Sequence, residues 1–208
     1  MSELEVYLGI DTSCYTTSVA FMDRQANLIG ESRQILKVHE GKCGLQQSEM
    51  VFQHTRNLPE MITNAMPRGA KIIGVCASGY PRPLPDSYMP AFLVGAGLAR
   101  SLSVLNNIPL WLISHQENHL LAGKWSASGP DDERFLFLHA SGGTTDLLTA
   151  EKDGNGSYKL TEIGGSIDLH AGQFIDRIGV SLGLQFPAGP ALEKFAGAAA
   201  GPVELPVS

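Results

Sequence analysis

Hydrophobic and polar positions change their period several times along the first half of the chain. Three short apolar runs separated by tight polar turns predict an antiparallel meander of strands. These runs cover residues 6–10, 17–22 and 28–36. Between residues 46 and 66 the apolar positions recur at near-helical spacing, and Pro67 ends that helix. The next strand, helix and strand cover residues 71–77, 91–105 and 110–113. A helix that contains two histidines follows, so the predicted order is βββαβαβα, a mixed sheet covered by helices.

The second half of the chain begins a similar round of strands. The strand candidates cover residues 135–140, 147–151 and 158–163, and the helix candidates cover residues 171–182 and 190–198. The pattern holds no further strand–helix pair after these. We therefore expect an incomplete second round with an unpaired sheet edge, and such an edge favours association with a second copy of the chain.

The composition describes a globular chain with an acidic balance. Hydrophobic residues make up 43% and charged residues 17% of the 208 positions, and the formal net charge is −6. Lys and Arg are scattered singly, so we expect any nucleic acid to be held with the help of a partner. The apolar runs are too short to span a membrane and the first residues lack a signal-peptide pattern, which predicts a cytoplasmic protein without a membrane partner. The three cysteines form no CxxC pair, which argues against a disulfide framework.

The segment "SHQENH" combines a helix start with two histidines. Ser114 and Glu117 have the spacing of a capping box, and His115 and His119 lie on one helix face as an i, i+4 pair. The positive end of the helix helps to keep His115 neutral, as a metal ligand must be. Metal sites take three or four ligands, so a solvated helix remains the alternative. Glu117 is misplaced for the HExxH pattern of zinc proteases.

The segment "SGGTT" follows a predicted strand and has the composition of an anion-binding loop. Gly142 and Gly143 allow positive φ and expose backbone N–H groups, while Ser141 and Thr144 add hydroxyl donors. A plain hairpin turn is the alternative. The chain has neither a GxxxxGK[ST] nor a GxGxxG motif, so the sequence supports neither a P-loop nor a Rossmann site.

Several single residues are weaker candidates for a site. Asp11 ends a buried strand, where its carboxylate could hold a cation beside phosphates or form an Asx-turn with its own backbone. Asp176 lies on a predicted helix and could reach a ribose, although an exposed helical Asp is the alternative. Gly189, in the turn "FPAGP", could admit a ligand against the backbone. His54 and His170 are predicted to be core or surface histidines and not ligands.

The order of these motifs resembles the TsaD family, also called glycoprotease-like, whose members are tRNA N6-adenosine threonylcarbamoyltransferases. The segments that carry the resemblance are "GIDTSCYTTSVAF", "VGAGLARSL", "HQENHLLAG", "SGGTTDLL" and "FIDRIGVSLGLQFPAGPALEKFA". The resemblance implies an α/β chain with the actin-like, Hsp70-like ATPase fold, built from two RNase-H-like lobes. Residues 1–114 would form the first lobe, and residues 115–208 the metal-site helix and the start of an incomplete second lobe.

The resemblance also implies roles for individual residues. His115 and His119 match the family's ligands for a divalent metal, iron or zinc, and the third ligand lies in a part of the family that this chain does not contain. The residues that match the family's contacts with ATP or threonylcarbamoyl-adenylate are Ala140, Ser141, Gly142 and Gly143, with His139 just before them, and Asp176 and Gly189. Asp11 is added to this nucleotide-binding set, with a possible magnesium ion, because of its place at the end of a buried strand. The implied partners are tRNA, reached through a complex, and TsaB-like or TsaE-like proteins.

Four positions depart from the family's usual pattern. They are Tyr15, Thr16, Thr144 and Ala188. We expect the chain to be part of a longer transferase that moves a threonylcarbamoyl group to the adenosine beside the tRNA anticodon. The alternative is a shortened, catalytically inactive paralogue that acts as a nucleotide-binding scaffold. A metalloprotease is less favoured because Glu117 is misplaced.

Overall fold

The computed structural model describes residues 3–38, 44–154, 156–199 and 201. The chain forms two compact units, Met1–Gly129 and Pro130–Ser208. The predicted order of strands and helices is confirmed in both units, with boundaries that differ from the prediction by at most three residues. The lobe boundary predicted between residues 114 and 115 stays a prediction.

A five-stranded mixed sheet forms the first unit, with the strand order β3-β2-β1-β4-β5. The strands are β1 (Leu4–Asp11), β2 (Thr16–Met22), β3 (Leu28–Ile35), β4 (Ala70–Tyr80) and β5 (Leu110–Ser114). The first three are antiparallel neighbours, which confirms the predicted meander, and β4 and β5 add in parallel. The ends of β1, β4 and β5 that lead into the following segments therefore lie at one edge of the sheet.

Helices cover one face of this sheet. They are α1 (Gln47–Ala65), which packs on β2 and β3, and α2 (Phe92–Asn106), which packs mainly on β4; α3 (His115–Ala127) follows β5 directly. Alternate residues of β1, namely Val6, Leu8 and Ile10, point into the core between the sheet and the helices. The residues between them point to the opposite face of the sheet, and Asp11 is the last of these.

Strand β4 is longer than the apolar run that predicted it. Pairing with β5 continues through Ser78 opposite Ile113 and Tyr80 opposite Ser114. The three residues that follow the predicted strand, "SGY", are therefore strand as well, because ladder hydrogen bonds with β5 outweigh their weak strand preference. This extension brings Ser78 beside the end of β1.

Two glycines of α2 have contrasting surroundings and provide a matched test of the packing. A Cβ at Gly95 would lie 3.0 Å from both Ile10 Cγ2 and Thr12 Oγ1, whereas no described atom lies within 4 Å of a Cβ at Gly97. We expect Gly97→Ala to stabilise the protein by about 1 kcal/mol through helix propensity. Overpacking at Gly95→Ala should cost about 2 kcal/mol, which leaves that variant about 1 kcal/mol less stable than the unaltered protein and about 2 kcal/mol less stable than Gly97→Ala.

Urea unfolding followed by the fluorescence of Trp111 and Trp125, both in the first unit, measures this difference. Equal stabilisation by the two substitutions would contradict the close approach of α2 to the end of β1.

The second unit contains a three-stranded antiparallel sheet in the order β6-β7-β8. Its elements are β6 (Arg134–Ala140), β7 (Thr145–Lys152), β8 (Tyr158–Gly165), α4 (Ala171–Ser181) and α5 (Gly189–Gly197). Leu148, Ala150 and Tyr158 are buried, whereas Leu136 and Leu138 on β6 are each more than 60% exposed. Among the described residues, none of the helices in either unit has the length and apolar character that crossing a membrane requires.

Candidate functional site

The predicted capping box at the start of α3 is present. The Glu117 N–H donates to Ser114 Oγ at 3.1 Å, and Glu117 Oε2 accepts from the Ser114 N–H at 2.8 Å. The Ser114 hydroxyl also donates to Glu117 Oε2 at 2.7 Å. These bonds satisfy the first orphan donors of the helix and fix the direction in which its first turn presents His115.

His115 and His119 converge at their Nε2 atoms. Those atoms are 3.0 Å apart, and the ring centroids are 4.3 Å apart at an interplanar angle of 79°. Two imidazoles that bind one ion at roughly 2.0–2.1 Å hold their nitrogens roughly 2.9–3.4 Å apart, depending on the coordination angle. The pair therefore fits two neighbouring positions around a single ion. Partial burial, and then the neighbouring His115, lower the pKa of His119, which favours the neutral form that binds metal.

Asp11 lies beside the histidines and is a hydrogen-bond acceptor for His115. Its Oδ2 is 3.2 Å from His115 Nδ1, while Oδ1 accepts the Ser13 N–H at 2.8 Å in the Asx-turn considered as one alternative. Burial by itself raises the pKa of Asp11, but the hydrogen bonds and the nearby imidazole together hold it well below the usual range. The carboxylate is therefore ionised at neutral pH.

The turn that follows Asp11 is anchored from two helices. The Thr12 hydroxyl donates to the Ala91 carbonyl at 2.9 Å and accepts the Gly95 N–H at 3.0 Å, both at the start of α2. From α1, His54 Nε2 is 3.0 Å from the Cys14 carbonyl oxygen. Because the turn is held on both sides, the position of Asp11 relative to α1 and α2 is well defined.

The SGG loop of the second unit is organised by its own serine. The N–H groups of Gly143 and Thr144 donate to Ser141 Oγ at 3.2 and 3.0 Å. The Thr144 hydroxyl is 2.9 Å from that oxygen and 3.0 Å from Nδ1 of the buried His139. Neither Gly142 nor Gly143 has positive φ, so this loop does not use the backbone freedom that glycine allows. Two of the backbone donors expected for an anion are engaged within the loop.

The start of α4 packs against the same loop. The Ala171 N–H donates to Thr145 Oγ1 at 2.8 Å, and the Gly172 N–H donates to the Ser141 carbonyl at 3.0 Å. A Cβ at Gly172 would lie 2.7 Å from Gly142 N, so only glycine allows this approach. The positive end of α4 therefore lies at the SGG loop, which favours an anion there.

Asp176 and Gly189 meet at the junction of α4 and α5. Asp176 Oδ1 accepts the N–H of the buried Ala188 at 2.8 Å, next to Gly189, and Asp176 is partly buried. Asp176 lies one helical turn after Gly172 on the same face of α4, so its carboxylate and the SGG loop lie along one side of that helix. Ala140 is exposed at the end of β6.

The structure thus brings the predicted residues together in two groups, one in each unit. The first group is Asp11, His115 and His119, and the second is His139, Ala140, Ser141, Gly142, Gly143, Asp176 and Gly189. Over the ranges that the structure describes, no three His, Cys, Asp or Glu side chains are arranged to hold an ion together. Sequence reasoning missed Ser78, Asn118 and Gly172, because no local pattern marks them as members of a site.

Comparison with known proteins gives the class of the fold first. YeaZ from Pseudomonas aeruginosa is 12% identical, with a TM-score of 0.50 over 78% of this chain and 67% of that chain. The ethanolamine utilization protein EutJ from Carboxydothermus hydrogenoformans is 11% identical, with a TM-score of 0.52 over 91% of this chain and 61% of that chain. The fold is that of the actin-like ATPases, as predicted. This chain spans about two thirds of the length of these structures.

The family follows from the sequence. The profile of the TsaD family, described as tRNA N6-adenosine threonylcarbamoyltransferase, matches residues 88–208, which is more than half of the chain. The matched region begins before α2 and includes both the histidine pair and the SGG loop. The chain therefore belongs to the TsaD family.

Proposed function

We propose that this chain is part of a transferase that moves a threonylcarbamoyl group from its adenylate to N6 of the adenosine beside the anticodon of certain tRNAs. The observation that carries this proposal is the pair of converging imidazoles, with Nε2 atoms 3.0 Å apart, in a chain of the TsaD family. His115 and His119 would hold a divalent ion, iron or zinc. Other groups must complete the coordination, since two imidazoles are fewer than a metal site requires.

Lewis-acid polarisation of the carbamoyl carbonyl is the chemistry that such an ion supplies when bound. The protein's own contribution in the first unit is to present two imidazoles on one helical face. The capping box fixes the first turn of α3, and Asp11 accepts a hydrogen bond from the ring of His115.

The second unit would hold the nucleotide part of the adenylate, or ATP with magnesium. The SGG loop, with His139 and Ala140 before it, lies at the positive end of α4, where a phosphate is favoured. Asp176 and Gly189 would contact the nucleoside further along α4. A hydrogen bond to Ala188 already holds one carboxylate oxygen of Asp176, so the carboxylate is oriented before a ligand binds.

The net charge of the chain and its family together indicate the partners that we propose. With a net charge of −6, this chain would reach tRNA through a complex that supplies cationic surface, with TsaB-like or TsaE-like proteins as members. Association of two copies through an exposed sheet edge and a cytoplasmic location stay predictions.

A catalytically inactive paralogue that serves as a nucleotide-binding scaffold is the second candidate. The contacts of Ser141 and Thr144 favour it, because the hydroxyl of Ser141 engages two loop N–H groups that would otherwise be directed at a phosphate. A metalloprotease is not favoured, because Glu117 is bonded to Ser114 in the capping box and is not directed at a water beside the histidines.

The role of His115 and His119 as metal ligands is tested by zinc binding to the purified protein. We expect one ion that a chelator removes readily, because the described residues supply two imidazoles and no third ligand of the usual types. His115→Ala and His119→Ala should each weaken zinc binding by at least about 10-fold. His170→Ala, a histidine substitution in the other unit, is the control and should change nothing. Unaltered zinc affinity in both variants would exclude the pair as the binding site.

The transferase is tested in cells that lack the threonylcarbamoyl modification. Expression of the protein from its complete reading frame should restore modified adenosine in tRNA, measured by nucleoside mass spectrometry, and His115→Ala should not. A scaffold would restore nothing in either form, which separates the two candidate functions.

A further inference from the structure

Asp11 accepts hydrogen bonds from four donors that come from three parts of the first unit. Its Oδ1 accepts the Ser13 N–H at 2.8 Å. Its Oδ2 accepts from the Ser78 hydroxyl at 2.6 Å, from Asn118 Nδ2 at 2.7 Å and from His115 Nδ1 at 3.2 Å. The carboxylate is 15% exposed, so solvent contributes little to its solvation. Strand β4 and helix α3 together determine where Oδ2 lies.

The carboxylate decides which nitrogen of His115 carries the proton. An ionised carboxylate only accepts hydrogen bonds, so His115 Nδ1 must donate to Asp11 Oδ2. In the neutral ring, Nε2 then presents its lone pair. His119 Nε2 is 3.0 Å from His115 Nε2, so a proton on His119 Nε2 would be donated to that lone pair in the metal-free protein.

Asn118 has an orientation that the same network fixes. Its Nδ2 donates to Asp11 Oδ2 at 2.7 Å and also lies 3.1 Å from Ser78 Oγ, which itself donates to the same carboxylate oxygen. A flipped amide would place its oxygen against the carboxylate, which is repulsive. Asn118 lies three residues after His115, so both side chains extend from the same face of α3 toward the same carboxylate oxygen.

We propose that Asn118 and Ser78 are positioning residues of the histidine site: they hold Asp11 Oδ2 where it keeps His115 in the Nδ1–H tautomer, with Nε2 directed toward His119. Nothing in the local sequence assigns this role, since Asp11, Ser78 and Asn118 are far apart along the chain. A carboxylate that accepts the second N–H of a ligating histidine orients the ring and raises its basicity, and its loss typically weakens metal binding by about 10- to 100-fold. The consequence for a metal rests on the proposed function; the tautomer does not.

The tautomer is read directly by NMR of the ring nitrogens. In metal-free protein at pH 8, where an ordinary histidine is neutral, the ring nitrogen shifts of His115 should show a protonated Nδ1. Asn118→Ala and Asp11→Asn should convert this signal to a mixture of tautomers. Asn106→Ala is the matched control: it removes an asparagine from α2, whose amide bonds only the Leu102 carbonyl in its own helix among the contacts described. It should leave the His115 signal unchanged.

Zinc competition with a chromophoric chelator is the second readout. Asn118→Ala and Asp11→Asn should bind zinc about 10- to 100-fold more weakly than the unaltered protein, and Asn106→Ala should bind equally well. Asn118 is partly exposed at the surface of α3, so Asn118→Ala should unfold at nearly the same temperature as Asn106→Ala. Equal unfolding temperatures exclude a folding defect as the cause of weaker zinc binding. Ser78→Ala provides a second variant that leaves α3 intact.

The two proposals fail in different ways. A His115 signal that keeps the Nδ1–H tautomer in Asn118→Ala, Ser78→Ala and Asp11→Asn would overturn the positioning role. Altered tautomers in a protein that binds no zinc or cobalt would overturn the metal site and leave the positioning of His115 supported.

Discussion

Gly172→Ala is expected to destabilise the second unit by roughly 2–3 kcal/mol and to weaken its binding of nucleotide. A Cβ at this position would lie 2.7 Å from Gly142 N and from the carbonyl carbon and oxygen of Ser141. These are backbone atoms and cannot rotate away. The start of α4 must therefore move from the SGG loop, which breaks the Gly172 N–H bond to the Ser141 carbonyl. Amide hydrogen exchange of the loop and of α4 measures the loss of protection.

Gly142→Ala separates folding from binding at the same place. No described atom lies within 4 Å of a Cβ at Gly142, and the φ of Gly142 is not positive. The substitution should therefore change the free energy of unfolding by less than about 0.5 kcal/mol. The added methyl group would, however, occupy space beside the proposed phosphate position. We expect ATP to raise the Tm of the unaltered protein and not that of Gly142→Ala. An equal ATP shift in both proteins would contradict phosphate binding at this loop.

His54→Ala should destabilise the first unit by roughly 3 kcal/mol or more. The side chain is fully buried, with Nδ1 2.8 Å from Thr17 Oγ1 and Nε2 3.0 Å from the Cys14 carbonyl oxygen. Its removal leaves a cavity and takes a hydrogen-bond partner from the buried Thr17 hydroxyl and from the Cys14 carbonyl. Thr55→Ala, the exposed neighbour on α1, is the control and should cost less than about 0.5 kcal/mol. Urea unfolding followed by tryptophan fluorescence compares the two; equal midpoints would contradict a structural role for His54.

The same histidine should make stability depend on pH. A carbonyl only accepts, so His54 Nε2 carries the proton and Nδ1 accepts the Thr17 hydroxyl, which describes a neutral ring. Burial lowers the pKa of His54, although the Cys14 carbonyl and the charge of Asp11 oppose the shift. The unfolded chain therefore takes up a proton first as the pH falls. The stabilisation is complete above about pH 6.5 and declines from there toward the lower folded pKa.

The measurement is the free energy of unfolding between pH 7.5 and 5, obtained from urea titrations of the unaltered protein and of His54→Gln. His54→Gln should show a smaller decline. Asp11 does not confound this window, because its ordinary pKa is about 3.9 and its folded pKa is lower still. An unchanged slope in His54→Gln would assign the pH dependence to other groups.

Local pattern predicted the elements well because each is determined by nearby residues. The alternation of β1, the spacing of apolar residues in α1 and the capping box of Ser114 are visible within a few positions of the chain. Strand β4 was predicted too short, since its last residues are strand only through pairing with β5. The position of the SGG loop was predicted, but not its internal hydrogen bonds, in which Ser141 Oγ accepts from two N–H groups of the loop.

The shared face of the two histidines could be predicted from the sequence, whereas the residues that contact them could not. His115 and His119 are one helical turn apart, so their shared face follows from helix geometry alone. For Asp11 the sequence left open a cation site or an Asx-turn; the structure contains the Asx-turn, and no local pattern predicted the bonds of the carboxylate with His115, Ser78 and Asn118.

The sequence by itself determined the strands, the helices, the family and the two imidazoles on one face of α3. Only the tertiary structure decided which groups surround them. Asp11 is separated along the chain by 67 residues from Ser78, by 104 from His115 and by 107 from Asn118. Contacts over such distances depend on how β1, β4 and α3 meet at one edge of the sheet, and that meeting is set by packing of the whole core and not by any local run of residues.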